Sequence, residues 1–288
     1  MDTRDPALNL RSSASRSWRR EDVLALAPAA VLLAALFLGA LAGAVKVSLV
    51  PLGGGIGDAS LASWRQLFAD PSFRDGLVLT LEVTIASTAI AAALGVALAL
   101  ALRRSAGALR AVAAAPVPVP HLLVAVIAVV WLGPGGLADR ILGSLPFDLI
   151  GNRNGAGIVA VYVYKEAPFI ALLVLAAMGR SLEQREEAAA VFGAGGLKRA
   201  AWVLWPTIRG PVVVGSIIVA AFAIGALEVP LAVGPNYPPT LAVYAFQTTQ
   251  GDLISGEGRA AAALLLAGFL AIVLASVGVR HARSADNE

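Results

Sequence analysis

Six apolar runs, each long enough to cross a membrane as a helix, constrain the fold of this chain more than any other sequence feature. A helix rises 1.5 Å per residue, so the roughly 20 residues of each run match a hydrocarbon core about 30 Å thick. Lipid cannot hydrogen-bond to an open backbone, so a single run of this length must be helical. The sequence therefore predicts an all-α, polytopic membrane bundle. Its six spanning helices are expected at residues 23–45, 77–102, 111–132, 157–178, 211–234 and 259–279.

The composition agrees with a membrane protein. Hydrophobic residues make up 58% of the chain and charged residues 14%, and the mean hydropathy is +0.78, well outside the usual range of soluble domains. No cysteine is present, which excludes disulfides and thiolate metal ligands. The formal net charge of +3 does not predict a nucleic-acid partner, because the basic residues flank the apolar runs, where they orient membrane helices.

The distribution of Lys and Arg predicts which side of the membrane each polar segment faces. With both termini inside, 15 of the 22 basic residues lie in inner segments, as the positive-inside bias requires. This predicts a disordered cytoplasmic tail at residues 1–22, a transmembrane domain at 23–279 and a second cytoplasmic tail at 280–288. It also places in the cytoplasm a polar segment rich in Gly and Ala at residues 180–209, which we call the island.

The island begins with a pattern that predicts two short helices joined by a turn. Acidic residues near its start favour the positive end of a helix dipole, and the alanines after Glu187 form a helix with little bulk. Gly193 and the glycines after it can end that helix. A second helix then leads to Pro206 and the fifth span, so the island is predicted to form a helix-turn-helix elbow at the membrane face, with its fulcrum near Pro206. The first helix is slim enough to enter a groove on another protein.

The spacing of this pattern resembles the cytoplasmic signature of permease subunits of bacterial ABC importers. The matching residues are Glu187, Ala188, Ala189, Gly193, Val203 and Pro206. Trp205 stands where the signature usually has Leu. The similarity extends to the Arg-rich turn after the second span and to the stretches PVPVPH and LEVPLAVG, and it is greatest to permeases of the polyamine, iron, thiamine, phosphonate and sulfate type. An ordinary interhelical loop rich in small residues is the alternative interpretation of the island.

The resemblance implies a type I importer permease fold in the bacterial inner membrane, with the island's first helix docked in a groove of a cytoplasmic ATPase. The implied partners are a second permease subunit, identical or homologous, two ATPase subunits and an extracytoplasmic solute-binding protein. A phosphate-binding loop needs G-x-x-x-x-G-K-[ST], and the stretch GAGGLKRA has neither the spacing nor the hydroxyl. ATP and Mg²⁺ are therefore expected on the partner ATPase, and no catalytic residue, cofactor or metal site is expected in this chain.

Five ionisable residues interrupt the apolar runs: Glu82, His121, Lys165, Glu166 and Glu228. A charge at the centre of a membrane helix costs about 2.5–3.5 kcal/mol on insertion scales, so such residues are candidates for a translocation pathway. The alternative is that they pair with one another or with a partner permease, and that His121 is simply hydrogen-bonded in a distorted helix. Three carboxylates against one ammonium favour a cationic solute, such as a polyamine.

Two other classes of protein are alternatives. A secondary transporter driven by an ion gradient would use the intramembrane carboxylates as proton or sodium sites, and it would contain an inverted internal repeat, which the sequence does not reveal. A membrane enzyme would need catalytic or metal-binding residues clustered at one membrane face, and the sequence has no such cluster. The sequence therefore favours the importer permease, with the ion-driven transporter as the alternative.

Overall fold

The structure, a computed structural model, describes residues 20–50, 54–143, 149–251 and 256–286. These residues form thirteen α-helices and no strand. The helices are α1 (Arg20–Leu49), α2 (Ala62–Ala69), α3 (Pro71–Leu102), α4 (Gly107–Ala114), α5 (His121–Leu132), α6 (Leu137–Leu142), α7 (Ala156–Ala177), α8 (Arg180–Val191), α9 (Gly196–Arg199), α10 (Trp205–Gly225), α11 (Glu228–Val233), α12 (Leu241–Gly251) and α13 (Gly256–Asp286). A π-helical turn at Ala200–Leu204 joins α9 to α10.

The described residues contain six helical segments that are long and apolar enough to cross a membrane, which confirms the predicted number of spans. They are Leu26–Leu49, Pro71–Leu102, His121–Leu142, Ala156–Ala177, Gly196–Gly225 and Gly256–Gly278. Most of the predicted tail at residues 1–22 lies outside the described residues, and α1 begins at Arg20. The chain up to Lys46 and the chain from Val47 onward are separate compact units. The second unit contains the helices α2 to α13.

Close approach of helix backbones holds the centre of this unit together. A Cβ atom added to Gly95 of α3 would lie 2.8 Å from the carbonyl oxygen of Ala167 and 2.9 Å from the Cβ of Ile170, both on α7. Gly215 of α10 approaches Ile170 in the same way. Lipid provides no hydrophobic force between helices, so small residues that permit tight van der Waals contact stabilise the packing. The helices α3, α7 and α10 therefore form the core around the buried residues Ile170 and Val219.

The helices α2 and α12 pack together at one end of this core. The sequence predicts a short helix near residues 64–68, and α2 confirms it, with Leu67 fully buried. The segment before the sixth span is predicted as a loop, and this is wrong because Leu241–Gly251 forms α12, whose first turn is buried. The Tyr244 hydroxyl donates to Asp70 at 2.7 Å, and burial, followed by this bond, raises the pKa of Tyr244 to about 12. The hydroxyl thus stays protonated and keeps its bond.

The third predicted span, residues 111–132, is wrong as one continuous helix. The chain leaves helix α4 at Ala114, makes turns through residues 115–120 and begins α5 at His121. Every second residue from 116 to 120 is proline, which lacks an N–H and disfavours helical geometry in the residue before it. The break therefore leaves backbone carbonyl groups without helical donors.

Lys165, near the middle of α7, closes this break. Its Nζ donates to the carbonyl oxygens of Pro116, Val117 and Val119 at 2.8, 2.9 and 2.6 Å. The residue is only 4% exposed. An ammonium has three donors and no acceptor, so it matches three carbonyl groups of the break, of which that of Pro116 also accepts from the Val119 N–H at 3.2 Å. We call Lys165 and these three carbonyl groups the lysine clamp.

The fifth span also differs from its prediction at residues 211–234. The helix is continuous from Gly196 to Gly225, so the second island helix and the fifth span, which were expected to be separate, are one helix. A proline inside a helix clashes with the carbonyl four residues before it. The π turn widens the helix just before Pro206, where the N–H of Trp205 bonds to the carbonyl of Ala200, five residues back. At the other end, the backbone of Ala226, which lies four residues before Pro230, is extended. The helix therefore ends at Gly225, and the residues from Glu228 form the separate helix α11.

Replacing Lys165 with Met is expected to destabilise the protein. Hydrogen bonds from a charged donor contribute about 1.5–3 kcal/mol each, and three of them outweigh the roughly 2.5–3.5 kcal/mol cost of placing the charge in the membrane. Lys165→Met should therefore lower the midpoint of thermal unfolding in detergent. Tyr164→Phe, at an adjacent exposed position, is the control and should leave it unchanged. Equal midpoints for both variants would contradict a stabilising clamp.

Candidate functional site

The first helix of the island ends in a turn that requires the glycine of the sequence pattern. Gly193 has a φ of +80°, a conformation that side chains disfavour. Its N–H bonds to the carbonyl of Ala190 at 2.9 Å, and the N–H of Ala194 bonds to the carbonyl of Ala189 at 3.0 Å. This pair of bonds defines a Schellman helix end. The geometry confirms the expected helix end at Gly193 and gives it a physical cause.

Large apolar side chains on both sides of this turn are exposed. The exposed fractions are 86% for Val191, 91% for Phe192, 89% for Leu197 and 75% for Trp202. By contrast, Leu182 in the first turn of α8 is buried and anchors the helix. Contiguous exposed apolar groups typically mark a contact with another protein or with lipid. We call these four side chains, together with Glu187 and Ala188, the docking surface.

The motif-based interpretation missed these four residues. It used the spacing of Glu187, Ala188, Ala189 and Gly193, which reports backbone geometry and helix bulk. The available signal was the presence of Val191, Phe192 and Leu197 close to three glycines, where a short turn cannot bury them. A turn of this kind presents its flanking side chains outward.

The other predicted residues of the island are placed around a cleft. Ala188, Val203 and Pro206 line it together with Trp202, and its volume is about 480 Å³. Glu187 is exposed, while Ala189 and Val203 are half-buried. The structure thus brings Ala188 close to Val203 and Pro206, although 15 residues of chain separate the first two. Their role in contacting a partner stays a prediction.

The adjacent residues Glu186 and Glu187 differ in burial and in their partners, although both line the cavity between α8 and the end of α3. Arg103, directly after α3, donates from Nη1 to both carboxylate oxygens of Glu186, at 3.0 and 3.1 Å. Glu187 is exposed, and no side-chain bond or ion pair to it is found in the described part of the chain. Arg110 of α4 in turn donates to the carbonyl groups of Leu102 and Arg103 at 3.0 and 2.6 Å. These bonds join the ends of α3, α4 and α8.

Three of the predicted pathway residues meet inside the bundle. Lys165 forms the lysine clamp, and Glu166 lies with its Oε1 2.8 Å from Nε2 of His121. The His121 ring packs 4.5 Å from the ring of Phe222. Tyr162, one turn before Glu166, is fully buried, and its hydroxyl has no hydrogen-bond partner among the described residues. Lys165 and Glu166 thus have different partners, and both partners lie within this chain.

The remaining two pathway candidates are not part of this cluster. Glu82 lies on an exposed face of α3, next to the buried Val83. Glu228 is exposed at the start of α11. The candidates therefore divide into a buried, internally paired group and two exposed carboxylates.

Comparison with known proteins gives one family match. Residues 89–283 match the family described as "Binding-protein-dependent transport system inner membrane component". The chain is 29% identical over 213 residues to the inner membrane ABC transporter permease protein YnjC of Escherichia coli (strain K12), covering 72% of this chain and 41% of that protein. It is also 29% identical over 160 residues to the sulfoquinovosyl glycerol transport system permease protein SmoG of Agrobacterium fabrum (strain C58), covering 52% of this chain and 51% of that protein. The chain thus spans about half the length of these relatives, or less.

Solved structures share the fold. A chain of a bacterial alginate ABC transporter, in complex with an alginate pentasaccharide-bound periplasmic protein, aligns with a TM-score of 0.69 and 18% identity, covering 94% of this chain and 98% of that chain. A chain of a bacterial ABC transporter involved in import of the acidic polysaccharide alginate aligns with a TM-score of 0.68 and 17% identity, covering 92% and 98%. The type I permease fold expected from the resemblance is confirmed. With more than half of its residues matched, this chain belongs to the family of binding-protein-dependent transport system inner membrane components.

Proposed function

We propose that this chain is the permease subunit of an ATP-driven ABC importer and that it couples to a separate ATPase through the island. The observation that carries the proposal is the docking surface. It combines the exposed Glu187 of the signature with apolar side chains that are close to fully exposed. Apolar side chains rimmed by a charge are the usual composition of a protein contact.

The proposed assembly contains a second permease subunit, two ATPase subunits and an extracytoplasmic solute-binding protein. ATP and Mg²⁺ are assigned to the ATPase subunits, because this chain lacks the sequence of a phosphate-binding loop. The chain itself is therefore a transport subunit and no enzyme. The bias of Lys and Arg supports a bacterial inner-membrane orientation with both termini and the island in the cytoplasm.

The proposed mechanism is alternating access. ATP binding closes the ATPase dimer, which displaces α8 because its docking surface is seated on the ATPase. The displacement reaches the fifth span directly, since the helix is continuous from Gly196 to Gly225. The spans then reorient around a solute pathway between the two permease subunits. An ion-gradient transporter is less favoured, because it gives the docking surface no task and the family match concerns binding-protein-dependent transport.

For the solute we propose a small charged molecule, with a polyamine-like cation favoured. Lys165 and Glu166 are hydrogen-bonded within the chain, which leaves the exposed carboxylates of Glu82 and Glu228 as the charges more accessible to a solute. Two carboxylates attract a cation. The names of the relatives also support a second class, since sulfoquinovosyl glycerol and alginate are the compounds that those names contain.

Changes in the docking surface should weaken ATPase binding without affecting folding. Leu197 is 89% exposed, so Leu197→Ser removes no internal packing but should reduce ATPase affinity about tenfold if it is a contact hot spot. The matched control is Leu142→Ser on α6, where the side chain is 73% exposed. ATPase retained with the affinity-tagged chain is measured for both. Equal retention would contradict docking at this surface.

Reversing the charge of Glu187 tests the signature residue itself. Glu187→Arg should reduce ATPase retention and uncouple ATP hydrolysis from transport, while the protein still inserts into the membrane. Glu187→Gln removes the charge without reversing it and should give an intermediate effect. The measurement is ATPase co-purification together with the yield of membrane-inserted protein. Co-purification at the wild-type level in Glu187→Arg would exclude Glu187 from the contact.

Removing the carboxylate of Glu228 tests the pathway. Glu228→Gln should lower the initial rate of radiolabelled spermidine uptake severalfold, because the cation loses an attracting charge, while the complex still assembles. Asp58→Asn, an exposed carboxylate outside the spans, serves as the control. Wild-type uptake in Glu228→Gln would remove this residue from the pathway. Transport of a sugar but not of spermidine by the wild-type protein would overturn the polyamine-like solute.

A further inference from the structure

The first island helix and the end of α3 line a common cavity. A cavity of about 610 Å³ lies between α8, the end of α3 and the start of the long helix that begins at Gly196. The buried Leu182 and the bonds between Arg103 and Glu186 are among the contacts that attach α8 to the rest of the chain. The ion pair thus bridges the space between the island and α3.

The two adjacent glutamates of α8 are suited to different tasks. Successive residues of a helix point about 100° apart, so a single partner does not engage both. Glu186 is held by Arg103, whereas Glu187 is exposed beside the docking surface. With Glu186 bonded to Arg103 and Glu187 left exposed, α8 can contact the bundle and a partner at the same time, although both residues line the cavity between α8 and α3.

Arg103 is itself held firmly at the end of α3. Arg110 donates to the carbonyl groups of Leu102 and Arg103, which fixes the backbone on which the Arg103 side chain stands. From there α3 runs through its close contact with α7 at Gly95. A displacement of α8 that pulls on Arg103 is therefore applied to α3 and, through α3, to α7.

We propose that Arg103 is a positioning residue that transmits the movement of α8 to α3 through Glu186, while Glu187 contacts the ATPase. This inference rests on the proposed function. It adds a second route of coupling to the direct one through the helix that begins at Gly196. Partly exposed ion pairs contribute little to folding stability, so the pair can be removed without unfolding the chain.

The test uses the complex that co-purifies with the affinity-tagged chain, reconstituted in lipid nanodiscs. The chain has no cysteine, so single reporters can be introduced at exposed positions: Ala101→Cys on α3 and Gln184→Cys on α8. The rate of modification by a water-soluble maleimide is measured for each reporter, with and without ATP plus vanadate. In the parent complex we expect ATP to change both rates, by about fivefold or more if the coupling has the usual strength.

In Arg103→Gln and in Glu186→Gln, the reporter on α8 should still respond to ATP, and the reporter on α3 should lose its response. The exchanged pair Arg103→Glu with Glu186→Arg should restore the response on α3, which a purely structural role of either residue does not predict. Arg104→Gln is the matched control, since it removes an adjacent exposed arginine without touching Glu186.

The two proposals fail in different ways. Transmission through Arg103 would be overturned if the α3 reporter responded equally in Arg103→Gln and in Arg104→Gln. It would also be overturned if this reporter did not respond in the parent complex. Either result would leave the proposed function intact. An absence of any ATPase in the purified parent complex would overturn the proposed function, and the inference with it.

Discussion

The lysine clamp is the interaction on which the irregular part of the bundle depends. In lipid, a carbonyl group that lacks a helical N–H donor cannot bond to water instead. The proline-rich break before His121 therefore requires a donor from another helix. Lys165 supplies three hydrogen bonds from one side chain. Its neighbour Glu166 contacts His121 at the other side of the same break. Two adjacent residues of α7 thus fix where the third span stops and restarts.

The bundle and the island differ in how they treat their side chains. The bundle buries apolar groups and hydrogen-bonds polar ones, whereas the island leaves apolar side chains exposed. Inside the bundle, Lys165 and Glu166 have partners, and the helices approach closely at Gly95. At the island the opposite holds, because the Schellman end at Gly193 exposes the apolar side chains around it. Such an arrangement suits a subunit whose stability comes from its membrane core and whose island is free to contact a partner.

The six spans could be predicted from the sequence because a long apolar run in lipid has few alternatives to a helix, and α7 lies within one residue of its predicted ends. The π turn before Pro206 could not be predicted, since a widened turn leaves no mark in composition or periodicity. The spacing from Glu187 to Gly193 predicted a helix and its end, both local features. The bond between Arg103 and Glu186 joins residues 83 positions apart and depends on how α3 and α8 pack, which no local pattern encodes.

The uninterrupted helix from Gly196 to Gly225 also has a geometrical consequence. Its 30 residues make a rod about 45 Å long at 1.5 Å per residue. If such a rod is held at its island end and tilted by about 10°, its opposite end swings through about 8 Å, similar to the 8–10 Å between the axes of packed helices. Because the rod is long, a small rotation at one membrane surface thus moves the helix at the other surface by about the distance between the axes of two packed helices.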